Sequence, residues 1–160
     1  MEKPKFSITH KDEEMLELVK DSQHKTLAIW AIDCAERVLP YFEEQYPEDQ
    51  RPRKAIEALH EWIKSGMFSM AVIRKASLDS HTAAKEIGND NPASSAAHAA
   101  GQTVATAHVP RHAYGSAVYA QQAIFRATDL SKANSAVTKE RDWQYQHLLE
   151  LGRNALKPKQ

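Results

Sequence analysis

The chain has 160 residues, of which 42% are hydrophobic and 26% are charged, as is ordinary for one globular domain. Its 21 basic residues equal its 21 acidic residues, which argues against a dedicated nucleic-acid binder. Cys34 is the single cysteine, so no internal disulfide can form, and this suits a reducing compartment. No apolar run is long enough to span a membrane, and residues 1–9 are too polar for a signal peptide. We therefore expect a single cytoplasmic domain over residues 1–160, without a membrane segment.

Charge is distributed unevenly along the chain. Residues 1–50 hold 12 acidic and 6 basic side chains, whereas residues 51–75 hold 6 basic and 2 acidic ones. The simpler interpretation is that the two regions neutralise each other within a helical domain. In the alternative, they form separate patches that steer a partner.

Helical periodicity dominates the sequence, and no alternating pattern predicts a strand. The first helix is expected at about 10–20, because acidic residues open it and Lys20 closes it. A second helix starts near Ser22 and is apolar over 27–35 except for Asp33, so it should be central. Pro40 is expected to stop or kink this helix, leaving at most a short helical turn at 41–46.

Capping residues place the other helices. Pro52 suits a first helical turn, and Gly66 and Gly88 suit helix ends. Asn91 opens a helix that must end before Pro110, since proline disfavours helical geometry at the preceding residue. The expected ranges are 52–66, 69–87, 91–108, 116–127 and 134–151, followed by a frayed tail at 157–160.

Alanine is concentrated in one part of the chain. Between residues 93 and 127, 12 of 35 residues are alanine and none is acidic. Alanine allows helix axes to approach closely, so these two helices should pack tightly in the middle of the molecule. The predicted fold is all-α: one compact array of about seven or eight helices, largely antiparallel neighbours, with an Ala-rich central pair.

Asp33 is the most informative polar residue, because it interrupts an apolar run. A buried carboxylate must be answered by a cation or by several donors. Arg37 is four residues further on, at the spacing where side chains of one helix face meet, and this pair is the structural interpretation. In the functional interpretation, Asp33 and Glu36 form a carboxylate pair that holds a cation or a basic residue of a partner.

A second cluster of charges, Arg51, Arg53 and Lys54, begins a helix. Cations there oppose the helix dipole, so an acidic group should compensate them. Glu57 could answer Arg53 at i to i+4, or the cluster could bind the Asp33 and Glu36 pair and so join two helices. An anion or an acidic partner surface is the functional alternative.

Three histidines, His98, His108 and His112, form a third cluster. His108 and His112 have the spacing of helical metal sites, but Pro110 prevents one continuous helix from presenting both on one face. His98 faces solvent or a second helix layer. The simpler interpretation is that the histidines of the 109–115 corner bind the backbone there.

Several ordered strings carry a family resemblance: WAIDCAERVLP at 30–40, YPEDQRPRKAIEA at 46–58 and AAGQTVATAHVPRHAYG at 99–115. They resemble the small all-helical immunity proteins of bacteria, in the immunity-protein-five-like group, over about residues 22–128. The strings are specific because they combine Cys, Trp, Pro and His with charged residues.

The resemblance implies a protein that protects a bacterial cell by binding a cognate protein toxin, with no catalytic residues and no cofactor to carry over. The matching polar positions become candidate binding residues: Asp33, Glu36, Arg37, Arg51, Arg53, Lys54, His108 and His112. The rival is a small enzyme or metal-binding protein centred on Asp33, Glu36, His108 and His112. In a third possibility, the charged strings only lock helices together. An apolar face left over on the last helix would favour a homodimer.

Overall fold

The computed structural model describes residues 6, 7 and 11–156, and in these residues the chain forms seven helices and no strand. The predicted all-α fold is therefore confirmed. The helices are α1 (Glu13–Asp21), α2 (His24–Glu43), α3 (Arg51–Ser65), α4 (Met70–Ile87), α5 (Pro92–Ala105), α6 (His112–Ala127) and α7 (Leu130–Ala155). The tail expected at 157–160 and the first residue of the predicted range 10–20 lie outside the described residues.

Local signals explain where most helices begin and end. The Asp12 carboxylate accepts a hydrogen bond from the backbone N–H of Met15, and the Asn91 side chain accepts one from Ala93, so each caps its helix. Gly66 ends α3 with a φ of 70°, in the left-handed region that favours glycine. These boundaries agree with the predicted ones.

Of the two outcomes expected at Pro40, a stop or a kink, the stop does not occur. The helix continues to Glu43, and the backbone N–H of Glu44 still donates to the Pro40 carbonyl. A proline at this position removes the hydrogen bond to the carbonyl of Glu36 and crowds that carbonyl with its ring. Glu36 and Pro40 are both exposed, so water can satisfy that carbonyl.

Two later helices begin earlier than predicted, α6 at His112 and α7 at Leu130. Gly115 lies inside α6 because of packing: a Cβ atom there would be 2.7 Å from Oε1 of Gln102. The glycine thus admits a side chain of α5 instead of breaking the helix.

The Ala-rich pair lies at the centre, as predicted. Helix α5 packs against α2, α3, α4 and α6, and its contact with α6 is the most extensive between any two helices of the described chain. Its alanines are fully buried at 93, 96, 97, 99 and 100. Small side chains therefore let four neighbours approach one helix.

Helix α2 contributes to both parts of the core. Leu39 and Phe42 pack with residues of α3 and α5, whereas Trp30 packs with residues of α1, α6 and α7. One stripe of α2 is not covered: Ile29, Glu36 and Arg37 are exposed there, and Asp33 is partly exposed. No helix of the described residues is both long and apolar enough for a membrane span.

Candidate functional site

The Asp33 carboxylate is paired with a residue of α7. His147 Nε2 lies 2.7 Å from Asp33 Oδ2, across 114 positions of sequence. The partner of this carboxylate therefore lies on α7, and not in the α3 cluster that was the alternative to Arg37. The local pair with Arg37 does not form, and the Asp33 side chain is 36% exposed, less buried than the apolar run around it predicted. The reason is geometric: Asp33 lies on the one stripe of α2 that faces outward.

The Arg37 side chain also contacts α7. Its Nε and one terminal nitrogen each donate to Glu140 over 2.8 Å, a bidentate arrangement. The hydrogen bond with Glu140 raises the pKa of the Arg37 guanidinium. Because Glu140 is only 4% exposed, Arg37 is the cation that compensates a buried carboxylate.

Trp143 joins these two pairs. The Arg37 guanidinium carbon lies 3.8 Å from the centre of a Trp143 ring, and the His147 ring stacks on Trp143 with centroids 4.7 Å apart. The five residues Asp33, Arg37, Glu140, Trp143 and His147 therefore form one continuous set of contacts, here named the α2–α7 polar row. The row lies between the exposed stripe of α2 and α7.

The sequence interpretation missed the α7 half of this row. Glu140, Trp143 and His147 are spaced at i, i+3 and i+7, so they share one helix face. That spacing was a usable signal. The spacing places an acid, an aromatic ring and a histidine on one face of α7.

Cys34 is adjacent to this row but fully buried. Burial raises the pKa of its thiol well above the usual value, and the nearby Glu140 carboxylate adds to the effect. The thiol stays protonated at neutral pH and packs as a small apolar group.

The basic cluster at the start of α3 is compensated by other acids than those predicted. Arg51 binds Asp49 and Glu86, each with a nitrogen–oxygen distance of 2.7 Å, and these hydrogen bonds raise its pKa. Arg53 binds Glu43, at 2.6 Å, instead of Glu57 or the Asp33 and Glu36 pair. The acids come from the α2–α3 loop, the last turn of α2 and α4. They neutralise cations that the α3 dipole disfavours.

Glu36 and Lys54 remain exposed on the outer surface of α2 and α3. A ring nitrogen of His60 lies 3.6 Å from a Glu36 carboxylate oxygen, an ion pair only when that histidine is protonated. Of the α2 and α3 candidates, these two thus stay available to an external group.

His98 of α5 packs between His81 of α4 and Tyr119 of α6. His81 and His98 approach each other to 2.7 Å between their Nδ1 atoms, and His98 stacks on Tyr119, so His98 faces a second helix layer as predicted. Burial lowers the pKa of both rings, and that of His98 to about 4, with a further lowering from neighbouring cationic groups. Gly101 makes room for the His81 ring.

The two histidines of the α5–α6 corner bind side chains, not the backbone as the simpler interpretation held. His112 Nδ1 lies 2.8 Å from Gln102 Oε1, and burial lowers the His112 pKa. The exposed His108 ring stacks on Phe68, with centroids 6.2 Å apart. Both therefore belong to the surface between α4 and this corner.

The carboxylate and histidine site of the rival interpretation is not assembled. Asp33 contacts α7, while His112 contacts α5. Within residues 6, 7 and 11–156, no three His, Cys, Asp or Glu side chains are placed to hold a metal ion.

Fold and surface together define the class of protein. It is a small helical protein in which charged side chains join the helices and the outer helix faces are exposed to solvent. A family model described as "Imm-5 like putative immunity protein" matches residues 17–151. The chain therefore belongs to this family. No curated protein and no solved structure matches the chain.

Proposed function

We propose that this chain is a bacterial, cytoplasmic immunity protein that binds a cognate protein toxin and neutralises it without catalysis. Its membership in the Imm-5 like family over residues 17–151 is the observation that carries the proposal. The proposed protein works as one domain, needs no cofactor and takes a protein, not a nucleic acid, as its partner. Self-association as a homodimer stays a prediction.

The candidate residues divide into two groups in this proposal. Asp33, Arg37, Arg51 and Arg53 have partners inside the chain, so their main role is to join helices. Charges that are already compensated contribute little further attraction to a partner.

The residues proposed to meet the toxin are the outward-facing ones: Glu36 and Lys54, together with the corner of His108 and His112. Glu36 and Lys54 carry opposite charges on neighbouring helices, which suits orientation of a partner at the rim of an interface. The more apolar surroundings of the corner suit the centre of an interface.

The decisive experiment pairs the purified chain with each toxin candidate encoded beside its gene. We expect one candidate to bind at about nanomolar Kd in calorimetry, as immunity-type inhibition requires, and co-expression to restore growth. Glu36→Lys should weaken binding, whereas Glu150→Lys, an exposed acid of α7, serves as the matched control. If no candidate binds and none is neutralised in cells, the proposal is wrong.

A further inference from the structure

Exposed large apolar side chains are concentrated at one place, the loop before α4 and the adjoining helix. Met67 is 79% exposed, Leu78 is 58% and Phe68 is 48%, and Met70 and Val109 beside them are also exposed. We name these five residues the α4 apolar patch. A concentration of this kind on a small protein marks an interaction surface more often than chance exposure does.

The patch has shape as well as apolar area. Met70, Arg74 and Leu78 are spaced at i, i+4 and i+8, so they form a ridge along α4. On one side, a cleft of about 190 Å³ runs between the ridge and the corner of His108 and His112. On the other side, the same three residues border a second cleft, which is shallow, open and formed by α4 alone. A ridge between two clefts suits a partner helix or an extended segment.

The charge on the ridge indicates what the patch binds. Lys75 is paired with Asp79 at 2.6 Å, so these two cancel. Arg74 lines both clefts, is exposed, and has no acidic partner among residues 6, 7 and 11–156. A cation between two apolar side chains is complementary to a carboxylate flanked by apolar groups.

A second copy of the chain is a poor occupant by the same reasoning. In a two-fold contact centred on the ridge, the ridge would face itself and bring two Arg74 side chains together. Like charges at the centre of an interface are unfavourable. An acidic partner avoids this repulsion.

We infer that the α4 apolar patch is the surface on which the chain receives its protein partner, and that the partner contributes an amphipathic segment with a carboxylate opposite Arg74. This inference rests on the proposed function for the identity of the partner as a toxin. The contact itself is set by the chemistry of the patch, which can be tested without the toxin.

The probe is a short synthetic helical peptide with leucines along one face and glutamates beside them, titrated into the isotopically labelled chain and followed by NMR. We expect amide shifts at residues 67–78 and 105–112. Arg74→Glu and Leu78→Asp should each weaken binding by about tenfold, as loss of a central contact does. The matched control is Val72→Asp, because Val72 is 57% exposed on α4 but lines neither cleft. A peptide with lysines for glutamates should bind at least about tenfold more weakly.

Each other outcome overturns the inference. These are absence of peptide binding, shifts elsewhere on the chain, equal binding of the lysine peptide, and equal loss in Val72→Asp. If light scattering detects a dimer that Leu78→Asp dissolves, the occupant is a second copy. Should Leu78→Asp fail to fold, Arg74→Glu carries the test. If a toxin from the neighbouring genes is bound equally well by Arg74→Glu, this surface is wrong while the proposed function stands.

Discussion

The contact between Arg37 and Glu140 permits a direct test of what the charged strings do. Arg37→Met removes the guanidinium, together with its contact with the Trp143 ring, and keeps most of the aliphatic stem. Glu140, only 4% exposed, is then left without the two hydrogen bonds that it accepts at 2.8 Å. The variant therefore removes the compensation of one buried carboxylate together with one cation–π contact.

The size of the effect follows from burial. Removing one partner of a fully buried ion pair costs about 3–5 kcal/mol, because an uncompensated charge stays inside. The Arg37 side chain is 42% exposed, so water replaces part of the loss. We expect the free energy of unfolding to fall by about 2–3 kcal/mol at neutral pH.

Urea unfolding followed by circular dichroism at neutral pH measures this effect. Arg53→Met is the matched control, because Arg53 and its partner Glu43 are 40% and 38% exposed. A pair exposed to that degree contributes only about 0–1 kcal/mol. If Arg37→Met costs no more than Arg53→Met, the reasoning from burial is refuted.

Three further predictions concern packing and protonation. Gly101→Ala should cost about 1–3 kcal/mol of stability, because its Cβ would lie 2.6 Å from a His81 ring nitrogen. Gly152→Ala, with nothing within 4 Å of its Cβ, should instead stabilise α7 by about 0.5–1 kcal/mol. Thermal unfolding of both variants checks this, and an equal effect of the two contradicts it. Because the pKa of His98 is lowered to about 4, the folded protein binds a proton on this ring less readily than the unfolded chain does. The free energy of unfolding should therefore be highest above about pH 6.5 and fall by about 2 kcal/mol, for a half-buried ring, as the pH falls toward 4. A stability profile that is flat over this range in urea unfolding contradicts the prediction. Trp143→Ala should cost about 3 kcal/mol and let the His147 ring reorient, seen as changed histidine NMR shifts; unchanged shifts mean that the stacking does not position the ring.

The sequence alone predicted the helices, but it did not predict which polar side chains pair between them. Apolar spacing and caps such as Asn91 act within one turn, so they predicted the helices and the Ala-rich centre. The partner of Asp33 could not be predicted in the same way, because i to i+4 reasoning reaches only Arg37. The actual partner, His147, is 114 positions away, and it becomes a neighbour only through the packing of α2 on α7. Proline at position 40 failed as a stop signal because its cost depends on whether water reaches one carbonyl.

The strings that carry the family resemblance, at 30–40, 46–58 and 99–115, supply most of the contacts that join helices. The ridge of the α4 apolar patch, Met70 to Leu78, lies outside all three strings. Recognition can change without loss of the fold where it depends on side chains that the fold does not need. Arg74 and Leu78 meet this condition, because both are exposed and neither contributes to the buried core. Arg37 does not meet it, since Glu140 depends on its charge. Partner choice should therefore change with substitutions on α4 and fold stability with substitutions in the α2–α7 polar row.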